Sequence, residues 1–248
     1  MSIYITGDCH GDYRKFNTTN FSEQKDMTRD DYVIVTGDFG IWDKSKEQKY
    51  WLEWLSKKTF TVLFVDGNHE NFDLLNSYPV KTWNGGKVHV IKDNILHLMR
   101  GQVFEIDGRT FFTFGGARSH DIIDGILDPK DSTYKEKKRT LNKMGKFLYR
   151  TNHVDWWEAE MPSEKEYKEG LKNLELCDWS VDYIISHCCP TKIQKKIAPK
   201  KDFNGLTDYL DEVTDKVNFT GHYFGHYHSD RTIDKKYHCK YKDIERIF

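Results

Sequence analysis

The segment Ile3-Tyr4-Ile5-Thr6-Gly7-Asp8-Cys9-His10-Gly11 joins a short apolar run to a turn rich in glycine, aspartate and histidine. The same arrangement occurs twice more along the chain. Residues 32–36 lead into Gly37-Asp38-Phe39-Gly40, and residues 61–65 lead into Gly67-Asn68-His69-Glu70. Short apolar runs bounded by such turns are typical of buried strands. The repeated pattern therefore predicts three strands, each with polar side chains just beyond its C-terminal end.

The segments between and after these runs indicate how the strands are connected. Residues 47–55 carry apolar side chains at helical spacing, which predicts a helix between the second and third strands and hence a parallel crossover. Further runs lie at 88–91, 102–106 and 110–114, and Asp107-Gly108 between the last two is a strong hairpin signal. The chain is therefore expected to mix parallel and antiparallel strands.

Two later runs also end in polar residues. Residues 182–186 lead to His187, and residues 218–224 lead to Gly225-His226-Tyr227-His228. In open α/β sheets the carboxyl ends of the strands border one crevice, where ligands bind. We therefore expect the Asp, Asn and His side chains at the five strand ends to lie close together.

The chemistry of these side chains points to metal. Carboxylate, carbonyl and imidazole ligands suit Mn, Fe, Ni, Co or Zn better than Cu(I) or an iron–sulfur cluster. Seven ligands are too many for one ion but fit two ions, roughly 3.5–4 Å apart, that share a bridging carboxylate. The predicted ligands are Asp8, His10, Asp38, Asn68, His187, His226 and His228.

The five motifs, in this order and spacing, resemble the signature of calcineurin-like metallophosphoesterases, in particular the small bacterial or phage type. The resemblance extends from residue 7 to residue 228. It implies an α/β fold, a four-layer α/β/β/α sandwich of two mixed β-sheets flanked by helices. It also implies a metal-dependent phosphoric ester hydrolase (phosphatase or phosphodiesterase) with two metal ions, Mn being favoured over Fe, Ni, Co or Zn.

The resemblance further implies a role for each matching residue. The first metal would be held by Asp8, His10 and His228, and the second by Asn68, His187 and His226. Asp38 would bridge the two ions, and His69 would act on the leaving group as an acid or charge stabiliser. The implied nucleophile is a hydroxide bridging the metals, since metal binding can lower the pKa of water to roughly 7.

One departure from the protein Ser/Thr phosphatases narrows the expectation. Their second motif continues as Asp-Arg-Gly, whereas here Asp38 is followed by Phe39-Gly40. The arginine that would hold the substrate phosphate is absent from that place. A broader phosphatase or phosphodiesterase, acting on a phosphorylated small molecule, a nucleotide or a phosphoester polymer, is therefore favoured over a protein phosphatase.

Basic residues suggest where the substrate binds, and they also suggest an alternative function as a nuclease. Arg118 and His120 follow a predicted strand and could reach substrate phosphate, although Arg118 could equally be a surface residue. The basic stretch 130–150 could attract nucleic acid, which makes a nuclease the first alternative. The formal net charge of -1 argues against it, and charge runs are usually solvated surface. A non-catalytic scaffold of the same fold is the second alternative.

Composition sets the remaining expectations. A mean hydropathy of -0.76 and the absence of a long apolar run exclude a membrane span. Five cysteines, an odd count, with no sign of a secretory leader indicate a reducing, cytoplasmic location. We expect residues 1–248 to form a single domain with an irregular, partly helical basic insertion around 119–175.

Overall fold

The computed structural model describes residues 1–199 and 203–248. Seven strands form the first sheet, in the spatial order β15-β1-β2-β3-β6-β5-β4. Their bounds are β1 Ile3–Thr6, β2 Tyr32–Val35, β3 Thr61–Phe64, β4 Val80–Trp83, β5 Gly86–Lys92, β6 Ile95–Leu98 and β15 Glu245–Arg246. The central strands β1, β2, β3 and β6 run parallel, and the outer strands pair antiparallel.

Six strands form the second sheet, in the order β13-β14-β12-β11-β8-β7. Their bounds are β7 Gln102–Ile106, β8 Arg109–Phe114, β11 Tyr183–Ser186, β12 Gly221–Phe224, β13 Arg231–Ile233 and β14 Tyr237–Cys239. Strands β8, β11, β12 and β14 are parallel, while β7 and β13 are antiparallel to their neighbours. A separate parallel ribbon pairs β9 (Gly125–Leu127) with β10 (Tyr149–Thr151).

The helices in the described residues lie outside the two sheets. Their bounds are α1 Lys46–Ser56, α2 Phe72–Leu75, α3 Tyr134–Lys143, α4 Glu164–Leu176, α5 Thr191–Ile197 and α6 Gly205–Lys216. Helix α4 begins at a capping box, in which Ser163 and Glu166 satisfy each other's backbone N–H groups, as the sequence predicts. No helix within 1–199 or 203–248 has both the length and the apolar character needed to cross a bilayer.

The side chains of each strand alternate between the two faces of its sheet, so the core has three layers: one between the sheets and one on the outer face of each. With helices covering the outer faces, the two sheets form a four-layer sandwich. Ile3 and Ile5 of β1 pack between the two sheets with Phe111 and Ile185 of the second sheet. Tyr4, on the opposite face of β1, belongs to a cluster with residues of α1. The outer face of the second sheet packs on α4, α5 and α6. Because neighbouring side chains on a strand point to opposite faces, each sheet buries both of its faces.

The predicted local connections are confirmed. Helix α1 joins the parallel strands β2 and β3, and Ile106 pairs with Arg109 across the Asp107-Gly108 hairpin turn. Both turn residues have positive φ, 53° and 68°, as a two-residue turn of this type requires. The strand predicted from residue 218 begins three residues later, at Gly221, because residues 218–220 form only an isolated bridge and a bend.

The segment 119–175 leaves the second sheet after β8. Its first part contains the β9–β10 ribbon and α3, and α3 buries no side chain. Its last part is α4, whose Leu174 is fully buried against the second sheet. Several cations of the basic stretch are paired within the segment: Lys137 with Asp131, Lys146 with Asp124, and Arg150 with Asp121. These pairs reduce the positive charge that the stretch presents.

Candidate metal centre

The C-terminal ends of five strands converge at one edge of the sandwich. Strands β1, β2 and β3 of the first sheet deliver Asp8, Asp38 and Asn68 to this edge, and β11 and β12 of the second sheet deliver His187 and His226. Contacts join the two sheets at this point. His187 Nδ1 lies 2.8 Å from the Thr36 carbonyl, and the His226 backbone N–H donates to Asp8 Oδ1 at 3.2 Å. The strand ends therefore form a single site.

Asp8, His10 and His228 form the first group of ligand atoms. Asp8 Oδ2 lies 3.1 Å from His228 Nε2 and 3.7 Å from His10 Nε2, and the two imidazole nitrogens are 3.1 Å apart. The ligand atoms of this group lie within 4.8 Å of one another, close enough to share one ion. Residues that are 218 positions apart are thus brought into one cluster.

Asp38 belongs to two further groups. It lies with Asp8 and His187 in one, and with His10 and His69 in the other, each with ligand atoms within 4.8 Å. His187 Nε2 is 3.3 Å from Asp38 Oδ2, and His10 Nε2 is 3.8 Å from the same oxygen. Asp38 therefore lies between the first group and His187, the position that a bridging carboxylate needs.

Asn68 and His226 lie beside these groups. The Asn68 amide donates from Nδ2 to Ser119 Oγ at 3.4 Å, which turns its carbonyl oxygen away from Ser119. The ring of His226 lies edge-on to His187, with centroids 5.1 Å apart. The structure thus gathers all seven sequence-predicted ligands.

Three buried ligand atoms lack a hydrogen bond among the described residues. They are Asp8 Oδ2, Asn68 Oδ1 and His187 Nε2. A buried polar atom without a partner costs roughly 1–3 kcal/mol, so such atoms call for an explanation. All three are good metal ligands, and His187 Nδ1 is oriented by the Thr36 carbonyl so that Nε2 faces the centre. The residues present therefore fit a metal centre.

The backbone is unusual at four of the predicted ligands. His10, Asp38, His226 and His228 have φ values of 49°, 45°, 64° and 46°, in the left-handed region. Only a few per cent of non-glycine residues adopt this conformation, and strained positions of this kind cluster at functional sites. Glycine would fit these backbones better, so the side chains are kept there at a conformational cost.

Gly37 shows how closely the backbone approaches the ligands. Its φ is 104°, and a Cβ atom built on it would lie 2.1 Å from Nδ1 of His187. Gly225 is similar, since its Cβ would lie 2.2 Å from Asp8 Oδ1. The glycines of the motifs therefore leave the space that the ligands occupy.

The charges of the ligand set are strongly coupled. Burial alone would lower the pKa of His187, but the carboxylate of Asp38 outweighs it and raises the pKa to about 9. Burial alone would raise the pKa of Asp38, but the charge of His187 lowers it to about 2. The nearby imidazoles of His10 and His228 likewise outweigh burial and lower the pKa of Asp8. Without metal, the centre holds carboxylates paired with imidazolium.

His69 lies over the same centre. Its backbone N–H donates to Asp38 Oδ1 at 2.8 Å, and its ring lies edge-on to His10 with centroids 5.3 Å apart. Burial lowers the pKa of His69, while the Asp38 carboxylate acts in the opposite direction. The ring borders both clefts that open beside the centre.

Several supporting residues were not predicted from the sequence. The ammonium group of Lys15 donates hydrogen bonds to the carbonyls of Gly7 and Asp8, each at 2.9 Å, and to that of Tyr241 at 2.7 Å. Arg100 pairs with the buried Asp66, two residues before Asn68. These cations hold the ends of β1 and β3 in place, and no local sequence pattern announces them.

Glu70, two residues after Asn68, supports the loop next to Asp38. Its buried carboxylate accepts the backbone N–H groups of Phe39, Gly40 and Ile41, at 2.7 Å from the first and the last. It therefore fixes the loop that follows Asp38. His222 on β12 is buried with Nε2 2.6 Å from Ser186 Oγ and belongs to none of the ligand groups.

Two clefts give access to the centre. One, of about 240 Å³, is lined by Asp38, Asn68, His69, His120, His226, His228 and Arg231, among others. His120, a predicted substrate contact, lies edge-on to His226 with centroids 5.7 Å apart. Arg118, the other predicted contact, lines a smaller recess next to His120 and His226. The second cleft, on the side of His10, is lined by Arg150, which was not singled out from the sequence.

Comparison with known proteins agrees with this geometry. The family model of the calcineurin-like phosphoesterases matches residues 1–189. The chain belongs to the calcineurin-like phosphoesterase family. This match covers the ligand motifs as far as His187 and establishes a metal-dependent phosphoester hydrolase fold.

The calcineurin-like phosphoesterase chain also matches solved structures. The crystal structure of a phosphopantetheinyl hydrolase from Mycobacterium tuberculosis is 14% identical, with a TM-score of 0.42 over 97% of this chain and 90% of that chain. No curated protein sequence matches the chain.

Proposed function

We propose that this calcineurin-like phosphoesterase hydrolyses phosphate mono- or diesters with two metal ions. The observation that carries the proposal is the set of buried ligand atoms without hydrogen bonds, Asp8 Oδ2, Asn68 Oδ1 and His187 Nε2. They come from three different strand ends and face one centre. Hydrolysis with two ions explains why these atoms are kept without protein partners.

The proposed division of ligands follows the distances for the first ion and the family resemblance for the second. Asp8, His10 and His228 hold the first ion, and Asn68, His187 and His226 hold the second. Asp38, which belongs to the groups on both sides, is shared. When bound, the two ions would supply Lewis acidity toward phosphate and would lower the pKa of bound water to roughly 7. Among the metals that suit this donor set, we favour Mn over Fe, Ni, Co or Zn.

His69 is proposed to act on the leaving group. Its ring borders both clefts, and its lowered pKa allows a neutral imidazole near neutral pH. In the protonated state it would donate a proton to the departing oxygen, and in the neutral state it would polarise bound water. Asp38 fixes the backbone of His69 and so keeps this ring beside the metals.

The domain organisation and the cellular location are also proposed. We propose that residues 1–248 form one domain, with 119–175 as an insertion that borders the active site. Five cysteines, four of them buried and none joined in a disulfide, support a reducing, cytoplasmic location.

The test is hydrolysis of p-nitrophenyl phosphate and bis-p-nitrophenyl phosphate with Mn²⁺, Ni²⁺, Zn²⁺ or EDTA. We expect metal-dependent turnover that is lost in Asp38→Ala and His69→Ala and is retained in Asp93→Ala, an exposed aspartate in a turn of the first sheet. The preferred compound separates a monoesterase from a diesterase. Full activity in metal-replete Asp38→Ala would overturn the ligand assignment. Protein that binds no metal and hydrolyses neither compound would instead be the scaffold alternative.

A further inference from the structure

The cleft beside His10 is a candidate binding pocket for one part of the substrate. It has a volume of about 350 Å³ and shares His69 and Asn68 with the proposed metal centre. Trp42, Arg150, Val154 and Trp157 also line it. His69, which is proposed to act on the leaving group, borders this cleft, so the cleft is placed to receive that group.

One wall of the cleft is the Arg150–Trp157 wall, formed by residues 150–157, which are held to the body of the protein. Asp73 of α2 accepts hydrogen bonds from His153 Nδ1 at 2.7 Å and from Trp157 Nε1 at 2.8 Å. Trp157 is 6% exposed, so its indole is packed under the segment. The cleft therefore has a preformed wall, which reduces the entropic cost of binding a ligand there.

Trp42 presents an aromatic surface at the mouth of the cleft. Its backbone is fixed on both sides, since its N–H donates to Gln48 Oε1 at 3.0 Å and its carbonyl accepts from Asn71 Nδ2 at 2.9 Å. Its side chain nevertheless remains 48% exposed. A half-exposed indole on a fixed backbone beside a reaction centre can stack on a planar ring.

The charged groups that line the cleft are already paired. Arg150 contacts Asp121 and lies 4.0 Å from Asp155 Oδ2, so two carboxylates surround one guanidinium. Glu70 is turned toward the backbone N–H groups of residues 39–41. Arg150 is therefore poorly placed to attract an anionic leaving group, while Trp42 and Val154 add aromatic and aliphatic surface to the lining.

We infer that this cleft binds an uncharged aromatic leaving group, a ring that stacks on Trp42 against the Arg150–Trp157 wall. The substrate class is then a phosphate ester of an alcohol that carries an aromatic ring. This inference rests on the proposed function, because it assumes that the phosphate lies at the metal centre. Aliphatic leaving groups lack the stacking contact, and anionic aromatic ones meet the carboxylates around Arg150, so both are poorer substrates.

The test compares matched phosphate monoesters in the Mn²⁺-loaded enzyme. 2-Phenylethyl phosphate and n-propyl phosphate release alcohols of similar acidity and differ in the ring. 2-(4-Carboxyphenyl)ethyl phosphate adds a charge to the same ring. We expect kcat/KM to be about threefold to tenfold higher for the phenylethyl ester than for the propyl ester, as a stacking contact implies. The carboxyphenyl ester should lose this advantage.

Two variants assign the preference to Trp42. Trp42→Ala should bring the phenylethyl-to-propyl ratio close to one, while Trp42→Phe should retain most of it. Tyr50→Ala removes another exposed aromatic side chain, on α1, and should leave the ratio unchanged. Because Trp42 is half exposed, its replacement should not unfold the protein, which circular dichroism would verify. Binding of 2-phenylethylphosphonate and propylphosphonate by calorimetry gives the same comparison without turnover.

The outcomes separate this inference from the proposed function. Equal kcat/KM for the phenylethyl and propyl esters, or a preference that survives Trp42→Ala, would overturn the aromatic pocket while leaving a phosphoesterase. A higher rate for the carboxyphenyl ester would show that the cleft selects an anion and would equally overturn it. No hydrolysis of any ester and no phosphonate binding by the metal-loaded protein would overturn both.

Discussion

His187 Nε2 lies 3.3 Å from Asp38 Oδ2, and both side chains are shielded from solvent. The two residues come from different sheets, one after β11 and the other after β2. An isolated charge at this depth would be strongly disfavoured, so each residue is charged because the other is. The pair therefore links the two sheets at the proposed metal centre.

Metal-free protein should become less stable as the pH rises from about 6.5 to about 9. The pKa of His187 is raised from 6.5 to about 9 in the folded state, so its stabilising contribution is complete below 6.5 and is lost through 9. Asp38, lowered from 3.8 to about 2, contributes above 3.8 and loses its contribution as the pH falls through 2. Urea unfolding in EDTA at pH 6 and pH 9 measures the first change. If His187→Gln shows the same pH dependence as the parent, the pair is not its source.

Glu160 should matter for metal binding although it is not a predicted ligand. Its carboxylate accepts the Ser119 backbone N–H at 2.8 Å and the Ser119 hydroxyl at 2.6 Å, and Ser119 Oγ accepts from the Asn68 amide. This chain of contacts keeps the Asn68 carbonyl directed at the centre. We expect Glu160→Ala to weaken binding of one of two Mn²⁺ ions by about 10–100-fold, as is typical of residues that orient ligands.

Calorimetric titration of the Glu160 variant with Mn²⁺ measures this effect, and its neighbour Glu158 is the control. Glu158 is exposed, so Glu158→Ala should bind both ions as the parent does. Unchanged affinity at both sites in Glu160→Ala would show that Asn68 is oriented without Ser119 and Glu160.

The left-handed backbone at His228 should affect the free energy of unfolding of variants at this position. With φ at 46°, an alanine at this position is strained, whereas glycine is not. We expect metal-free His228→Gly to be more stable than metal-free His228→Ala by about 1 kcal/mol, since both variants lose the same imidazole. Urea denaturation of the two variants in EDTA gives the difference directly. Equal stabilities would mean that the loop relaxes once the ring is removed.

Gly37→Ala should disrupt the centre without removing any ligand. The new methyl group would lie 2.1 Å from the ring of His187, and the backbone φ of 104° is unfavourable for alanine. We expect loss of most metal-dependent activity and a destabilisation of about 2 kcal/mol or more, in the range typical of steric and backbone strain combined. Gly108→Ala is a matched control, because its φ is also positive at 68° but nothing lies within 4 Å of the added atom. Similar losses of activity in both variants would rule out the contact with His187 as the cause.

Much of the fold could be predicted from local patterns. The apolar runs, the helix at 47–55, the Asp107-Gly108 turn and the Ser163–Glu166 capping box are each encoded within a few residues. Their physical causes are local as well: side-chain alternation on strands, helical periodicity and turn conformation. The start of β12 was less well predicted, because Phe219 extends the apolar pattern over residues that form only an isolated bridge and a bend.

The supporting contacts could not be predicted in the same way. Ser119 and Glu160 are 41 positions apart, and Asn68 and Ser119 are 51 apart. The cleft between Trp42 and Arg150 likewise joins distant segments. Nothing in the local sequence around Glu160 or Arg150 distinguishes them from surface charges, and only the folded chain brings them to the centre.

The sequence by itself determined which side chains follow the strand ends, and hence the seven predicted ligands and the family. Parallel strands carry their C-terminal residues to one edge whatever the details of packing. Tertiary structure alone decided the distances within the ligand groups, the left-handed backbone at His10, Asp38, His226 and His228, and the walls of the cleft. Those features depend on how the two sheets and the 119–175 segment pack together, which no short stretch of the chain specifies.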